Sequence, residues 1–405
     1  MNKGDTMVEK NKKMRKSSFG LLEVSILLIT TCLLSLGAGY FLGQKTVKEQ
    51  KNDRYIEKFK ENYNYIIENY YKDIDKSALI DSAIKGMVES LDDNFSTYMD
   101  ESSSNTFDVT LEGAYEGLGI SIVGDTDGNI SIVRVFEDSP AGKAGLQVGD
   151  IIKSINGQST EGWATTQVTE YVKKNQKGNF KMVVLRGDQE VTAELQAGNI
   201  TIQSVSSRMI EEEGKKIGYI SINIFALNTN EQFASALEKL EKDGMDSLII
   251  DVRDNGGGHL VSTAQIISTL LDKKNIIYQT EVKGKTTKVY SEGKTTKKYP
   301  IVFLTNDGTA SGSEVLVAAL TENTDAISVG TKTYGKGTVQ ELVGLGTGNQ
   351  YKVTVKKWLT PKGNWVEGKG IAPTIEVKMA DAYFQNPTEE NDNQLKAAID
   401  YIKNK

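Results

Sequence analysis

Ser247-Leu248-Ile249-Ile250-Asp251-Val252-Arg253-Asp254-Asn255-Gly256-Gly257-Gly258 decides the fold. An apolar strand, Ser247 to Val252, runs into a polar turn and three glycines, and an apolar helical pattern follows from Val261 to Leu271. The same alternation extends in both directions. Upstream lie a strand at Gly218 to Ile222 and a helix at Asn230 to Glu241. Downstream come a strand at Pro300 to Thr305, a helix at Ser313 to Thr321 and a strand at Ala326 to Gly330. Strand and helix in turn predict an α/β core. The triple glycine does not fit a dinucleotide phosphate loop, which needs G-x-G-x-x-G spacing and a ribose-binding acid downstream. Backbone N–H groups of Gly257 or Gly258, with that of Gly312, instead suit an oxyanion.

A second pair of segments supplies chemistry for that loop. Thr309-Ala310-Ser311-Gly312-Ser313-Glu314 precedes the apolar run Val315 to Leu320, and Gly335-Lys336-Gly337-Thr338-Val339-Gln340 follows it. Ser311 with Glu314 reads as a capping box, and capping alone would explain it. The same placement puts the Ser311 hydroxyl at a helix N-terminus, where developing negative charge is favoured. A serine nucleophile needs an adjacent base. The chain has one histidine, His259, in the glycine loop, and a Ser/His pair would leave the Gly-Lys-Gly segment unexplained. A lysine whose pKa falls from about 10.4 toward roughly 7 to 8 by burial is the simpler base. Gln340, four positions on, carries no charge and is suited to orient the Lys336 amine.

Composition removes several alternatives. The formal net charge of −6, without a basic cluster in the body of the protein, argues against nucleic acid as a partner and for a protein or peptide substrate. A single cysteine, Cys32, and a single histidine exclude disulfides and a zinc cluster, and no all-oxygen metal motif is present. Neither metal nor cofactor is expected. From Phe19 to Leu42 the chain is mostly apolar with Glu23 as its only charge, and at ~1.5 Å per residue this helix exceeds the ~30 Å hydrocarbon core. Lys3, Lys10, Lys12, Lys13, Arg15 and Lys16 outweigh Asp5 and Glu9 before it, which keeps the N-terminus cytoplasmic and sends the rest outside the cell membrane. A cleaved signal peptide is the competing reading, although the run is long for one.

Between the span and the core lie two helical patterns and a β-rich stretch. Tyr55, Phe59, Tyr63, Ile66, Ile67 and Tyr70 share one helix face, and Leu79 through Leu91 repeat the period until Asp92-Asp93-Asn94. From Gly113 to about Gln196, short strands alternate with glycine turns, predicting a small independent β-rich domain. Its Gly117-Leu118-Gly119-Ile120, with Ser139-Pro140-Ala141-Gly142-Lys143-Ala144-Gly145-Leu146 and Ile155-Asn156-Gly157, resembles a PDZ domain. The two glycines let successive N–H groups face one concavity that takes a terminal carboxylate, with the strand from Ile120 pairing to the peptide. Peptides with free apolar C-termini are the expected ligands.

Together these motifs resemble the C-terminal processing peptidases, or tail-specific proteases, of family S41. Leu91-Asp92-Asp93-Asn94-Phe95-Ser96-Thr97-Tyr98-Met99, Thr360-Pro361-Lys362-Gly363 and Gly368-Lys369-Gly370-Ile371-Ala372-Pro373 add to the likeness. The resemblance implies a multidomain α+β/α/β protein: a helical N-terminal segment, a PDZ domain and a ClpP/crotonase-like α/β serine peptidase core. It implies Ser311 as nucleophile, Lys336 as general base and Gln340 as its orienting partner, with no metal or nucleotide, and it admits a homodimer. Two positions depart from the family pattern: Gly312 replaces the usual alanine, and Gly256 stands where proline is common. The expected organisation is a basic tail over 1–18, a transmembrane helix over 19–43, a helical segment over 44–112, the PDZ domain over 113–197, the peptidase core over 198–380 and a helical tail over 381–405. The rival is a membrane-anchored PDZ scaffold with an inactive core.

Overall fold

The computed structural model describes residues 54–136 and 138–405. The basic tail and the span expected at 19–43 lie outside the described residues, and among the described residues no helix is long and apolar enough to cross a membrane. The two helical patterns that follow are helices, at 54–69 and Lys76–Glu89.

The core is a six-stranded sheet in the order Val205–Glu212, Lys215–Ile222, Ser247–Asp251, Ile301–Thr305, Ile327–Gly330, Ile375–Glu376. The first two strands are an antiparallel hairpin and every later neighbour is parallel. Ser247–Asp251 and Ile301–Thr305 are buried at every residue, as strands covered on both faces must be. One face, with Ile220, Ile222, Leu248, Ile250 and Phe303, packs against the helices Thr229–Lys242, Leu260–Leu270 and Gly312–Asn323. The other face, with Ile217, Ile249, Val302, Leu304 and Val329, is covered by Leu395, Ala398 and Ile402 of the helix Asn393–Lys403. Because four successive strands run parallel, their C-terminal ends reach the same edge of the sheet. The loops 223–228, 252–259, 306–311 and 331–337 therefore converge there.

A second sheet stands beside this edge. It holds Thr97–Met99, Gln350–Leu359, Ile276–Val282 and Lys285–Tyr290, with Thr338–Gly344 also paired to Gln350–Leu359. The β-rich stretch has its own core around Ile130, Ile132, Ile155, Phe180, Met182 and Val184. Its strands Ile120–Gly124, Ile130–Val135, Ile151–Ile155, Asn179–Arg186 and Gln189–Gln196 are antiparallel neighbours in that order, with the helix Thr165–Asn175 packed on them. The chain enters and leaves this module through one two-stranded ribbon, Ala114–Gly117 against Gly198–Thr201. The Gly113 carbonyl at its base accepts from Ile202 N at 2.8 Å and from Asn228 Nδ2 at 2.7 Å.

Candidate active site

At the sheet edge, the turn after Ile301–Thr305 is sewn to the glycine loop. Thr309 Oγ1 donates to Val252 O (2.8 Å), Ala310 N to Asn255 O (3.0 Å) and Ser313 Oγ to Asn255 O (2.8 Å). Asn255, fully buried, also donates from Nδ2 to Ile222 O (2.8 Å), so its amide ties two strand ends together. Ser311 is the residue before the helix Gly312–Asn323 and sits at φ 54°, ψ −115°. Such a backbone costs a non-glycine residue on the order of 1–3 kcal/mol, and the surrounding bonds hold it there. The half-buried Ser311 makes no side-chain cap hydrogen bond, so its hydroxyl remains available for chemistry.

Glu314 links this serine to the lysine segment. Its side chain is fully buried and accepts four hydrogen bonds. Oε2 takes Ser311 N and Lys336 N, each at 2.9 Å; Oε1 takes Gly335 N at 2.8 Å and Thr333 Oγ1 at 2.6 Å. One carboxylate thus fixes the backbones of Ser311 and Lys336 against each other. The lysine loop is clamped from its far side as well. Trp358 Nε1 donates to Lys336 O (2.7 Å), Trp365 Nε1 to Gly337 O (3.0 Å), and Gly337 N donates to Glu367 Oε2 (2.7 Å). Gly335, at φ 90°, lies against the backbone of Lys369 and Gly370, where a Cβ has no room.

The Lys336 amine lies 4.6 Å from the centre of the Phe95 ring. Burial is the strongest influence on it and, with Lys352, holds its pKa below the ordinary lysine value against the pull of Glu367, Asp93 and Glu314. None of these carboxylates forms an ion pair with it among the described residues. Gln340 stands at a bulge in the strand Thr338–Gly344, and its Nε2 donates to Thr338 Oγ1 (3.1 Å) and Thr354 Oγ1 (3.0 Å). That engages the donor end of the amide with threonines and leaves Oε1 as the end suited to a lysine N–H.

Within the glycine loop, Gly257 and Gly258 are held differently. Gly257 N donates to Asn255 Oδ1 at 2.9 Å and Gly257 O accepts from Phe225 N at 3.0 Å, so Gly257 shapes the loop and its N–H is already committed. It packs so closely on the nucleophile turn that a Cβ would come within 2.9 Å of Gly312 N. Gly258 is bridged to Phe225, and a Cβ on it would overlap the Phe225 carbonyl. Of the three N–H groups expected to face an oxyanion, that of Gly257 therefore already has an acceptor within the loop. At Gly312 a methyl would meet Thr263 Oγ1 at 2.8 Å, whereas at Gly256 a Cβ meets nothing, so the first departure from the family pattern is matched by its neighbour and the second is sterically free. His259 precedes the helix Leu260–Leu270, and burial pushes its pKa down.

In the β-rich module, Gly119 has φ 80°, and a Cβ there would overlap Ser139. Leu118 O accepts from Ala141 N and Gly119 O from Phe136 N, both at 2.9 Å, while Ile120 begins the first module strand. Gly117 closes the entry ribbon opposite Gly198.

Sequence reasoning gave Glu314 no part except as a cap, quoted Asn255 in the glycine-loop motif without a role, and passed over the part played by Asp93, Phe95 and Ser96. The capping-box spacing was the one signal for Glu314. Phe95 lies in the stretch 91–99 that added to the family likeness, but nothing local ties it to Lys336, 241 positions downstream by its numbering.

An α/β core that presents a serine on a strained turn beside a glycine loop and a half-buried lysine is the arrangement of a serine peptidase. Family models match accordingly: peptidase family S41 over residues 216–377, a PDZ domain over 108–185, and the N-terminal domain of the activating protease CtpB over 40–103. The carboxy-terminal processing protease CtpB of Bacillus subtilis (strain 168) is 36% identical over 84% of this chain and 71% of its own length. CtpA of the same organism is 34% identical over 95% of this chain and 82% of its own. A solved photosystem II D1 C-terminal processing protease aligns with 25% identity over 79% of this chain and 86% of that one, at a TM-score of 0.45. The chain belongs to peptidase family S41 and is a serine peptidase of the carboxy-terminal processing kind with a PDZ domain.

Proposed function

We propose that the chain is a membrane-anchored, extracytoplasmic endopeptidase in which Ser311 is the nucleophile and Lys336 its general base. The observation that carries this reading is the single oxygen, Glu314 Oε2, that accepts from the backbone N–H of both residues. Neutral Lys336 takes the Ser311 proton as Oγ attacks the scissile carbonyl, and the N–H groups of Gly258 and Gly312 receive the oxyanion. The lysine then returns the proton to the leaving amine. The acyl-enzyme is hydrolysed by a water activated in the same way. Gln340 presents its Oε1 to the lysine amine during this cycle.

The PDZ domain, with its loop Gly117-Leu118-Gly119-Ile120, captures the apolar C-terminus of a protein substrate by adding it as a strand. Cleavage then occurs near that tail. Its entry ribbon rests on Asn228, three residues from the Phe225 that braces Gly258, and this gives the module a short route to influence the site. The segment 19–43 anchors the chain with residues after it outside the cell, in the organisation 1–18, 19–43, 44–112, 113–197, 198–380 and 381–405. Assembly as a homodimer belongs to the same proposal.

The test is cleavage of an unfolded protein with an apolar C-terminus, followed by mass spectrometry, using the full chain as wild type, Ser311→Ala and Lys336→Ala. Loss of cleavage in both variants is the expected result. Equal cleavage by all three would sink the Ser/Lys assignment.

A further inference from the structure

Phe95 is the one aromatic ring against the Lys336 amine among the described residues, and the segment that carries it is fastened to the lysine's own sheet. Asp93 accepts from Phe95 N (3.1 Å) and Ser96 Oγ (2.5 Å). Ser96 Oγ in turn accepts from Thr354 N at 3.0 Å, and Thr354 Oγ1 accepts from Gln340 Nε2. Two residues further on, Thr97–Met99 pairs with Gln350–Lys352 as an edge strand. The ring therefore has a fixed place, set by a staple that ends on Gln340 itself. Resting on the Ser311/Lys336 reading above, we propose that Phe95 is the positioning residue for Lys336: its ring face holds the lysine amine at the site and stabilises the cation formed when that amine takes the serine proton.

The chemistry suits a general base better than an acidic partner would. A carboxylate beside Lys336 would keep it protonated and idle at neutral pH. A ring face carries no net charge and attracts the ammonium only moderately. It also excludes water, which favours the neutral amine. Two effects of opposite sign thus come from one side chain. Charged groups that act on Lys336 from the packed elements are Lys352 on the long strand Gln350–Leu359, Glu367 in the loop after it, Asp93 on the staple and Glu314 on the nucleophile helix. None of them changes when Phe95 is replaced.

That opposition gives the experiment its sign. Phe95→Leu keeps apolar bulk and removes the ring face, so the cation loses stabilisation and the lysine pKa falls. Phe95→Ala admits water, so the pKa rises. Phe95→Trp preserves the face. The acid limb of kcat/KM in the full chain, measured on the unfolded substrate, is expected to move down by roughly half a pH unit or more for Phe95→Leu and up for Phe95→Ala, with Phe95→Trp near wild type. kcat should fall about tenfold for Phe95→Leu at little change in KM. The same pKa order is expected in the pH dependence of Lys336 acetylation by acetic anhydride, read by mass spectrometry, which requires no turnover. Acid limbs and acetylation profiles unmoved in all three variants, with Lys336→Ala inactive, would leave the Ser/Lys reading standing and remove the role of Phe95. Full activity of Lys336→Ala would overturn both.

Discussion

Two glycine loops in this molecule use the same backbone trick with different neighbours. In the PDZ domain, Gly119 turns at φ 80° against the side chain of Ser139; in the core, Gly258 turns at φ 142° against the backbone carbonyl of Phe225. A side chain can rotate or be shortened, whereas a strand-end carbonyl bonded to His259 N at 2.7 Å cannot. The PDZ-domain loop is therefore adjustable and the core loop is not. Gly258→Ala keeps the N–H but must push the loop off the Phe225 carbonyl, so if that N–H serves the oxyanion kcat should fall by up to roughly 10²–10³, and shortening the side chains around it should not restore activity. Gly119→Ala should weaken capture of an apolar C-terminal peptide by about tenfold, consistent with ~1–2 kcal/mol for a left-handed alanine, and leave kcat on short peptides alone. Adding Ser139→Gly should recover part of that affinity, because it removes the overlap. If Gly258→Ala and Gly119→Ala were equally relieved by trimming neighbours, the contrast between the loops would be lost.

Glu314 sharpens the comparison from the other side of the site. The PDZ loop is held by two backbone hydrogen bonds to its carbonyls, while the backbones of Ser311 and Lys336 hang on one buried carboxylate with four donors. Glu314→Gln is nearly the same size, but its amide N–H₂ would face donors where an acceptor stood. Leaving buried donors unpaired costs about 1–3 kcal/mol each, so a kcat fall of roughly ten- to a hundredfold is expected with KM nearly unchanged. A fall in KM-sensitive binding alone would show that Glu314 supports the helix and not the alignment of Ser311 with Lys336.

What could be read beforehand follows from how each element earns its place. The strands Ser247–Asp251 and Ile301–Thr305 are buried on both faces, so their unbroken apolar runs announce them. The helices Thr229–Lys242 and Leu260–Leu270 carry ordinary periodicity. By contrast Lys285–Tyr290, with five of its six residues exposed, offers no apolar signal and is defined by pairing with Ile276–Val282. The Thr338–Gly344 and Gln350–Leu359 hairpin is half-exposed for the same reason, and sequence reading assigned it no strands. Ser311, Lys336 and the glycine loop stood out because their local composition is unusual. Glu314 as a clamp and Phe95 as a wall were illegible because each role exists only after distant loops meet at the sheet edge. Gln340 was legible as a residue, yet the orientation of its amide is set by Thr338 and Thr354.

The smallest expected effect concerns charge in the two domains. The module's Asp150 is buried and accepts from Arg186 Nε at 2.7 Å, Arg186 Nη2 at 2.8 Å and Gln147 N at 2.8 Å. Arg186 holds the carboxyl below the ordinary aspartate range, against the upward push of burial. In the core, Arg253 is enclosed between Asp251 at 2.6 Å and Asp392 at 2.7 Å, and this pins the C-terminal helix segment beneath the glycine loop. A carboxyl whose pKa is depressed on folding adds stability above the unfolded value, near 3.9, and that stability is lost as pH falls through the folded value. The wild-type module should therefore lose hydrogen-exchange protection over 113–197 as pH drops below about 4. In Arg186→Gln the depression loses its largest cause and keeps only the Gln147 N–H, so module stability should be lower at neutral pH and change less with acid, while protection around Arg253 stays as in wild type. An unchanged acid dependence in Arg186→Gln would mean that the Gln147 N–H alone sets the Asp150 carboxyl, and that the module, unlike the core, is not held by its charged pair.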